Sequence, residues 1–313
     1  MRKRYLYLTG GLGNQLFQYA ALQTENTDTK LLIDVVSGNP RVNSTGDPDI
    51  LDFKLSGNPT ILTRRMPTLT KRAIGYSLRL HINHGSGLFR NAFRFLVRLA
   101  TGTLVSLHFR EPVFLRALED LGDDGRSEPK KVNILLVGYF QSIRWAETLL
   151  DKRGFEFSLS HPSARVNEYS VLAESEEPLV VHIRLGDYLA ESGFGIPGAE
   201  YYSEAISSQL VSNKYKKIWL FSDEPEKALN IFPKEPGIDV RIIEQKGLSS
   251  AETLEIMRQG RGYVIANSSF SYWGAYLSYS TNATVICPKP WFKDLDEPQN
   301  LIPKDWKRAD ARF

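Results

Sequence analysis

The sequence predicts an α/β protein built on open parallel sheets. Short runs that are apolar throughout, as in strands covered by helices on both faces, are bounded by turn signals: RYLYLT, KLLIDV, VNILLVGYF, PLVVHIRL, KKIWLFSD, VRIIEQ, GYVIAN and ATVICP. Segments with helical spacing lie between these runs: QLFQYAALQ, NAFRFLVRLA, SIRWAETLLDKRG, AEYYSEAISSQLV, PEKALNIF, SAETLEIMRQ and SYWGAYLSY. This alternation of strands and helices is typical of βαβ units.

Length and composition allow two such domains. The chain has 313 residues, of which 42% are hydrophobic and 24% charged, as in ordinary folded proteins. The stretch SLSHPSARVNEYSVLAESEEP is polar, and the alternation is more regular beyond it. We therefore expect an N-terminal domain over residues 1–160 and a C-terminal domain over residues 161–313.

Several classes of protein are disfavoured by the composition. No apolar run approaches the roughly 18 residues of a membrane-spanning helix, and no signal-peptide core follows the N-terminus. The single cysteine, Cys287, cannot form an intramolecular disulfide, and the five histidines are scattered. We expect a cytoplasmic protein without a metal site.

Three glycines separate the first predicted strand from the first predicted helix, in the stretch TGGLGNQLFQYAALQ. Glycines at such a junction indicate a tight turn or the close approach of a ligand to the backbone. A Rossmann dehydrogenase is disfavoured, because GGLGNQL lacks the third glycine of the dinucleotide fingerprint.

Polar residues follow the apolar run of PLVVHIRLGDYL, which contains His182 and Arg184. Ligands of open parallel sheets bind at the carboxyl ends of strands, where an arginine can hold a phosphate through two hydrogen bonds. The alternative is a structural salt bridge between Arg184 and Asp187, and the segment alone does not decide between the two.

Two further strand ends carry polar groups. Asn267, Ser268 and Ser269 are good helix caps, and the helix N-terminus that they begin can also bind an anion. After KKIWLF, Glu224 is expected to cap the next helix, whereas Asp223 can either cap it or accept a hydrogen bond from a nucleoside. Three or four polar strand ends in one chain favour a diphosphate ligand bound between two domains.

Basic residues are concentrated between Thr63 and Arg116, where Glu111 is the only acid. They are Arg64, Arg65, Lys71, Arg72, Arg79, Arg90, Arg94, Arg98, Arg110 and Arg116. Apolar residues recur at helical spacing in the same segment: Phe89, Phe93, Leu96, Val97 and Ala100. Such a helix either lies on anionic lipid or packs on its own domain with a solvated basic face.

Four motifs, GGLGNQLFQYA, HIRLGDYL, FSDEPE and NSSFSYWGAYL, closely resemble in this order the α-1,2-fucosyltransferases of glycosyltransferase family 11. The segments ILDFKLSG, GYFQSIRW, TLEIM and KPWF extend the similarity to nearly the whole chain. The resemblance implies a GT-B-like fold, in which two Rossmann-like domains face a central cleft. The N-terminal domain would mainly bind the acceptor and carry a basic helical insertion, residues 62–116, and the C-terminal domain would bind GDP-fucose.

The activity implied by this resemblance is an inverting transfer of L-fucose from GDP-β-L-fucose to O2 of a terminal β-galactoside. No metal or other cofactor is implied. The product would be part of a bacterial surface glycan of the O-antigen type. The acceptor would be an oligosaccharide linked to a lipid diphosphate, met at the inner face of the cytoplasmic membrane.

The resemblance also implies roles for single residues. Arg184 would hold the β-phosphate, and His182 would position the nucleotide. The remaining donor contacts would come from Asp223, Asn267, Ser268, Ser269, Phe270, Gly13 and Asn14, and Gln15 would contact the acceptor. Two positions depart from the family pattern: Leu185 stands where a second arginine is frequent, and Tyr272 with Trp273 replaces a tryptophan pair.

The general base is assigned to Asp187, with Asp34 and Glu252 as the other carboxylates in plausible places. Two other functions stay open. The first is a GT-B enzyme with another GDP-sugar or another linkage. The second is a non-catalytic protein that binds polyanions or membranes through its basic segment, although we expect no nucleic-acid partner.

Overall fold

Two compact units make up the chain. The computed structural model describes residues 1–23, 29–82, 88–117, 132–151, 158–186, 188, 193–212, 215–234 and 237–313. Unit 1 comprises Met1–Ser158 with Pro298–Leu301, and unit 2 comprises Leu159–Glu297 with Ile302–Phe313. Each unit is built around its own parallel sheet, which confirms the predicted α/β class with two Rossmann-like units.

Unit 1 contains a five-stranded sheet of order β3-β2-β1-β5-β4, in which every pairing is parallel. Its elements in chain order are β1 (Arg2–Tyr7), α1 (Leu12–Leu22), β2 (Thr29–Asp34), a 3₁₀ turn (Asp49–Asp52), β3 (Thr60–Leu62), α2 (Thr68–Ile82), α3 (Leu88–Phe109), β4 (Val113–Ala117), β5 (Asn133–Val137) and α4 (Ile143–Asp151).

The core of unit 1 forms where helices α2 and α3 cover the sheet. Tyr5 of β1 and Leu135 of β5 pack there against Val105 of α3. The buried Arg4 of β1 donates to the carbonyls of Ala21 and Leu22, at the end of α1. Its positive charge therefore lies at the negative end of the helix dipole and joins α1 to the sheet.

Unit 2 contains a six-stranded, entirely parallel sheet of order β11-β10-β9-β6-β7-β8. Its elements in chain order are α5 (Ala164–Glu176), β6 (Leu179–Ile183), α6 (Ala199–Ser212), β7 (Ile218–Ser222), α7 (Pro225–Ala228), β8 (Val240–Ile242), α8 (Ser250–Met257), β9 (Gly262–Val264), α9 (Ser269–Tyr276), β10 (Thr284–Lys289) and β11 (Lys307–Asp310).

The central strands of unit 2 are buried along their whole length. All five residues of β6 and all five of β7 are buried, as the continuous apolar runs predict. The polar stretch at the predicted boundary is largely helix α5, which buries Val166 and Ala173. The chain passes from unit 1 to unit 2 just before this helix, between Ser158 and Leu159.

None of the helices in the described ranges combines the length and the apolar character that crossing a bilayer requires.

Candidate active site

The sheet of unit 2 changes direction between β6 and β9. The chain adds β7 and β8 on one side of β6, and then returns to add β9, β10 and β11 on the other side. In such sheets the crevice at the carboxyl ends of the two strands beside the reversal is where ligands bind. Arg184 directly follows β6, and the segment Asn267–Phe270 follows β9, so both predicted anion-binding segments lie at this crevice.

Arg184 forms an ion pair at this edge with Asp223, which follows the neighbouring strand β7. The distance between Arg184 Nη1 and Asp223 Oδ2 is 3.1 Å. The other carboxylate oxygen, Oδ1, accepts a hydrogen bond of 3.0 Å from the backbone N–H of Leu185. The guanidinium therefore keeps a fixed position while part of its surface stays exposed.

Gly186 permits this arrangement by its lack of a side chain. A Cβ atom at Gly186 would lie 2.2 Å from Asp223 Oδ2, far inside any normal contact distance. The sequence alternative paired Arg184 with Asp187, but Asp187 lies outside the described residues. The acidic partner that the structure shows for Arg184 is Asp223, for which a nucleoside contact was predicted.

His182 is a neutral, buried imidazole beside Arg184. Its pKa is lowered to about 3, because burial penalises the charged ring and the positive charge of Arg184 disfavours a second cation. Within the described residues Nδ1 has no hydrogen-bond partner, and the ring lies 6.0 Å from the ring of Phe270. The side chain can therefore offer a hydrogen bond, but no charge, at neutral pH.

Helix α9 begins at the same sheet edge. Ser268 is its N-cap, and its hydroxyl accepts a 3.3 Å hydrogen bond from the N–H of Phe270. Ser269 and Phe270 of the first turn are half-buried. Free N–H groups and the positive end of the helix dipole favour an anion at this position, so α9 and Arg184 present positive potential to one crevice.

Asn267, at the start of the same segment, is hydrogen-bonded to neighbouring loops. Its side chain is almost fully buried, and Nδ2 donates to the carbonyls of Phe194 and Gly195, at 2.9 and 3.1 Å. The backbone carbonyl of Asn267 accepts a hydrogen bond of 3.1 Å from the hydroxyl of Tyr188, whose ring stacks on that of Phe194. Through Nδ2, Asn267 holds segment 193–195 beside the crevice, and the donor contact of this residue stays a prediction.

The glycine-rich turn of unit 1 lies at the corresponding edge of the first sheet, where the chain reverses between β1 and β5. Gly10 has a φ of +75°, which a residue with a side chain adopts only with strain. Asn14, one turn into α1, accepts a 2.9 Å hydrogen bond from Gln141, which follows β5. Gly10 thus lets the chain turn sharply from β1 into α1, and the half-buried Asn14 lies at the edge expected for ligands.

Gln15 is fully buried within the same turn. Its Nε2 donates to the carbonyls of Gly10 and Arg41, and its Oε1 accepts from the N–H of Ile50. Both ends of the amide are therefore engaged with backbone atoms of unit 1. In this geometry the amide holds the turn, and the acceptor contact of Gln15 stays a prediction. Gly13, also predicted to approach the donor, is buried in the first turn of α1.

The carboxylates considered as the general base differ in their surroundings. Asp34 is buried at the end of β2, and its Oδ1 accepts from the N–H groups of Val36 and Ser37. Glu252 forms the capping box of α8 with Ser249 and also accepts from the N–H of Ser163. Both carboxylates accept hydrogen bonds from backbone N–H groups and so stabilise local backbone structure. The assignment of Asp187 as the general base stays a prediction.

Leu185, which replaces a frequent second arginine, packs in the hydrophobic core of unit 2. Only its N–H is directed at the site, where it binds Asp223. Tyr272 and Trp273 are likewise buried, with their rings 5.8 Å apart. These departures from the family pattern therefore concern core side chains.

No group of three or more His, Cys, Asp or Glu side chains that could hold a metal ion occurs in the part of the chain that the structure describes.

The family is established by direct comparison. The sequence matches the model of Glycosyl transferase family 11 over residues 114–308. This range covers more than half of the chain, from β4 of unit 1 through nearly all of unit 2. The chain therefore belongs to glycosyl transferase family 11 and is a glycosyltransferase.

Two relatives from Escherichia coli align with nearly the whole chain. An O-antigen biosynthesis glycosyltransferase, WbnK, is 27% identical over 305 residues, covering 92% of this chain and 94% of the relative. An alpha-1,2-colitosyltransferase is 25% identical over 319 residues, covering 97% of each chain. A solved structure of the alpha-1,6-fucosyltransferase NodZ, soaked with GDP-fucose, has 14% identity and a TM-score of 0.44, covering 88% of this chain and 92% of that one.

Proposed function

We propose that the protein transfers L-fucose from GDP-β-L-fucose to O2 of a terminal β-galactoside, with inversion at the anomeric carbon and without a metal ion. The observation that carries the proposal is the position of Arg184 and of the N-terminus of α9, which follow the adjacent strands β6 and β9 at the reversal point of the second sheet. The motifs shared with α-1,2-fucosyltransferases support the sugar and the linkage.

Arg184 and α9 suit a departing diphosphate. As the bond from the sugar to the β-phosphate breaks, negative charge builds on the phosphate oxygens. A guanidinium fixed by Asp223 and the N–H groups of α9 stabilise that charge more in the transition state than in the ground state. These groups can do so without a metal ion, because they supply fixed positive potential from the protein itself.

His182 is proposed to lie beside the nucleotide as a neutral neighbour, since its low pKa prevents it from adding a charge beside Arg184. Asp187 is proposed as the base that takes the proton of the acceptor hydroxyl, a contribution of about 10² to 10⁴-fold in rate. Unit 1 is proposed to bind mainly the acceptor, and unit 2 to bind the donor.

The two E. coli relatives support the wider role. One is named for O-antigen biosynthesis and the other for an alpha-1,2 linkage. We therefore propose an oligosaccharide of a bacterial surface glycan as the acceptor, met in the cytoplasm as a lipid-linked intermediate.

A second candidate is the same reaction with another GDP-sugar. The second relative is named for colitose, a sugar that differs from L-fucose only by the absence of the 3-hydroxyl group. A donor site for one of these sugars therefore has to discriminate a single hydroxyl, by a hydrogen bond to it or by excluding it.

The experiment that separates these candidates measures GDP release with chelator present, using GDP-fucose, GDP-colitose and GDP-mannose with a panel of β-galactosides. We expect acceptor-dependent release with GDP-fucose, a product whose NMR spectrum shows an α-1,2 linkage, and loss of activity in Arg184→Ala. The matched control is Arg312→Ala, which removes an exposed arginine paired with Glu200. Faster turnover with GDP-colitose would favour the second candidate, and no turnover with any donor would overturn both.

A further inference from the structure

Helix α3 presents an apolar face to solvent. On its inner side Thr101 and Val105 are buried, and Thr101 Oγ1 lies 3.0 Å from Ser77 Oγ of α2. On its outer side large apolar residues are 48 to 69% exposed: Phe93, Phe95, Leu96, Leu99 and Leu107. Exposed apolar residues that cluster in this way mark an interaction surface.

The exposure of this face bears on the two sequence interpretations of the segment. The interpretation as a helix packed on its own domain required Phe93 and Leu96 to lie against unit 1, with the basic residues in solvent. Instead Phe93 is 48% and Leu96 59% exposed, whereas Arg98 is half-buried. The helix therefore packs on unit 1 through Thr101 and Val105, whereas Phe93 and Leu96 lie on its exposed side.

One stripe of exposed residues, apolar except for Thr103, runs along this face. Ala92, Leu96, Leu99, Thr103 and Leu107 are separated by three or four positions, the spacing that places side chains on one side of an α-helix. The stripe runs for about 22 Å along the helix. Its length suits an extended apolar surface better than a pocket for one side chain.

The charge of the same segment indicates what covers this face. Residues 63–116 carry ten basic side chains and one acid, a net charge of +9, so that with +3 for the whole chain the rest of the chain carries −6. The single acid, Glu111, is paired with Lys3 at 2.6 Å. Arg64, Arg65 and Arg72 are exposed on and before α2, which packs against α3.

An anionic bilayer surface matches both properties. Phenylalanine and leucine side chains insert at the boundary between headgroups and acyl chains, and arginines on the flanking chain attract acidic headgroups. A second copy of this chain is a poor match, because it would bring two segments of charge +9 together.

We propose that the outer face of α3, together with the exposed arginines of α2 and the segment before it, binds the surface of an anionic lipid bilayer. The protein lies on the membrane in this arrangement and does not span it. The surface would keep the enzyme where a lipid-linked acceptor is found, but its binding to lipid needs neither donor nor acceptor and is independent of the proposed function.

The test is co-sedimentation of the full chain with vesicles containing phosphatidylglycerol, compared with vesicles of phosphatidylcholine alone. We expect binding to the anionic vesicles at low salt and its loss at high salt. The double variant Leu96→Asp/Leu99→Asp should lower the partition coefficient by about tenfold or more, because two apolar side chains no longer insert.

The matched control is Val171→Asp/Val211→Asp, which places two acids at exposed valines of α5 and α6 in unit 2. This control adds the same charge and should retain most of the binding. Circular dichroism and GDP titration show whether each variant keeps its fold.

Three results would overturn the proposal. The first is no sedimentation with anionic vesicles, and the second is equal loss of binding in the control and α3 variants. The third is a concentration-dependent dimer, seen by light scattering, that the α3 variant abolishes, since the face would then join two copies. Failure of GDP-fucose turnover with intact vesicle binding would instead count against the proposed function alone.

Discussion

The contact between Gly186 and Asp223 allows the anion site to be perturbed without removing any charged group. In Gly186→Ala the new methyl carbon would lie 2.2 Å from Asp223 Oδ2 and 3.3 Å from its Cγ. Ordinary contact requires about 3.5 Å, so the carboxylate must retreat by roughly 1 Å. That movement breaks the 3.0 Å hydrogen bond from the N–H of Leu185 and disturbs the 3.1 Å ion pair with Arg184.

The size of the effect follows from the interactions that are lost. A hydrogen bond to a charged group contributes about 1.5 to 3 kcal/mol, which corresponds to a factor of roughly 10 to 150 in an equilibrium constant. We expect the free energy of unfolding to fall by about 1 to 2 kcal/mol. The affinity for GDP should fall by about tenfold or more, because Arg184 is no longer held at the crevice.

Isothermal titration with GDP, beside chemical denaturation of the same samples, separates the two effects. The control is Gly102→Ala in α3, where a Cβ meets no atom within 4 Å. This control should gain about 0.5 to 1 kcal/mol of stability, as glycine-to-alanine changes in helices do, and keep its GDP affinity. A folded Gly186→Ala protein with wild-type GDP affinity would refute the claim that Asp223 positions Arg184 for an anion.

Further expectations concern the neutral histidine, the core leucine and the first sheet. The pKa of His182 is lowered to about 3, so the unfolded chain binds a proton that the folded chain does not, and stability is lost as pH falls below about 6.5. By pH 5 the free energy of unfolding falls by about 2 kcal/mol from this cause. Urea titrations at several pH values should show the fall in wild type but not in His182→Asn, and the same pH dependence in both proteins would contradict it. Leu185→Arg should lower the free energy of unfolding by about 3 kcal/mol or more, because it buries a charge. Wild-type stability together with tighter GDP binding in this variant would contradict the assignment of Leu185 to the core. In Gly38→Ala a Cβ would lie 1.9 Å from the carbonyl oxygen of Leu8, so a melting temperature several degrees lower is expected, and an unchanged one would exclude this clash.

The central strands could be predicted from the sequence, and so could the edge strand β8 from the run VRIIEQ, but the edge strands β3 and β11 could not. Strands β6 and β7 are covered on both faces and therefore read as unbroken apolar runs. Strands β3 and β11 lie at sheet edges, where part of each strand is exposed and polar residues are tolerated. Their sequences consequently carry no clear strand pattern. The sequence of helix α5 is polar and indicates a domain boundary for a similar reason, since the helix buries few side chains.

The candidate site was predictable in its residue types but not in its pairings. His182, Arg184 and Ser268 could be identified as candidates because they are polar residues at the ends of apolar runs, where ligands of parallel sheets bind. The ion pair between Arg184 and Asp223 depends on β7 lying beside β6. Local sequence patterns do not predict the order of strands in a sheet. The burial of Gln15 likewise depends on Arg41 and Ile50, which are distant along the chain.

The direction of the α3 apolar face also had to come from the structure. Spacing shows that Leu96 and Ala100 share a side of the helix, but it does not show which side meets the sheet. Thr101 and Val105 meet it instead, through α2 and the strands of unit 1.

The central claim is that the crevice after β6 and β9 holds the diphosphate of a nucleotide sugar. Its most direct test is a crystal structure of the full chain with GDP, grown with chelator present. We predict that the β-phosphate oxygens lie within hydrogen-bond distance of the Arg184 guanidinium and of N–H groups in the first turn of α9. A nucleotide bound elsewhere, with its phosphates away from both groups, would contradict the account.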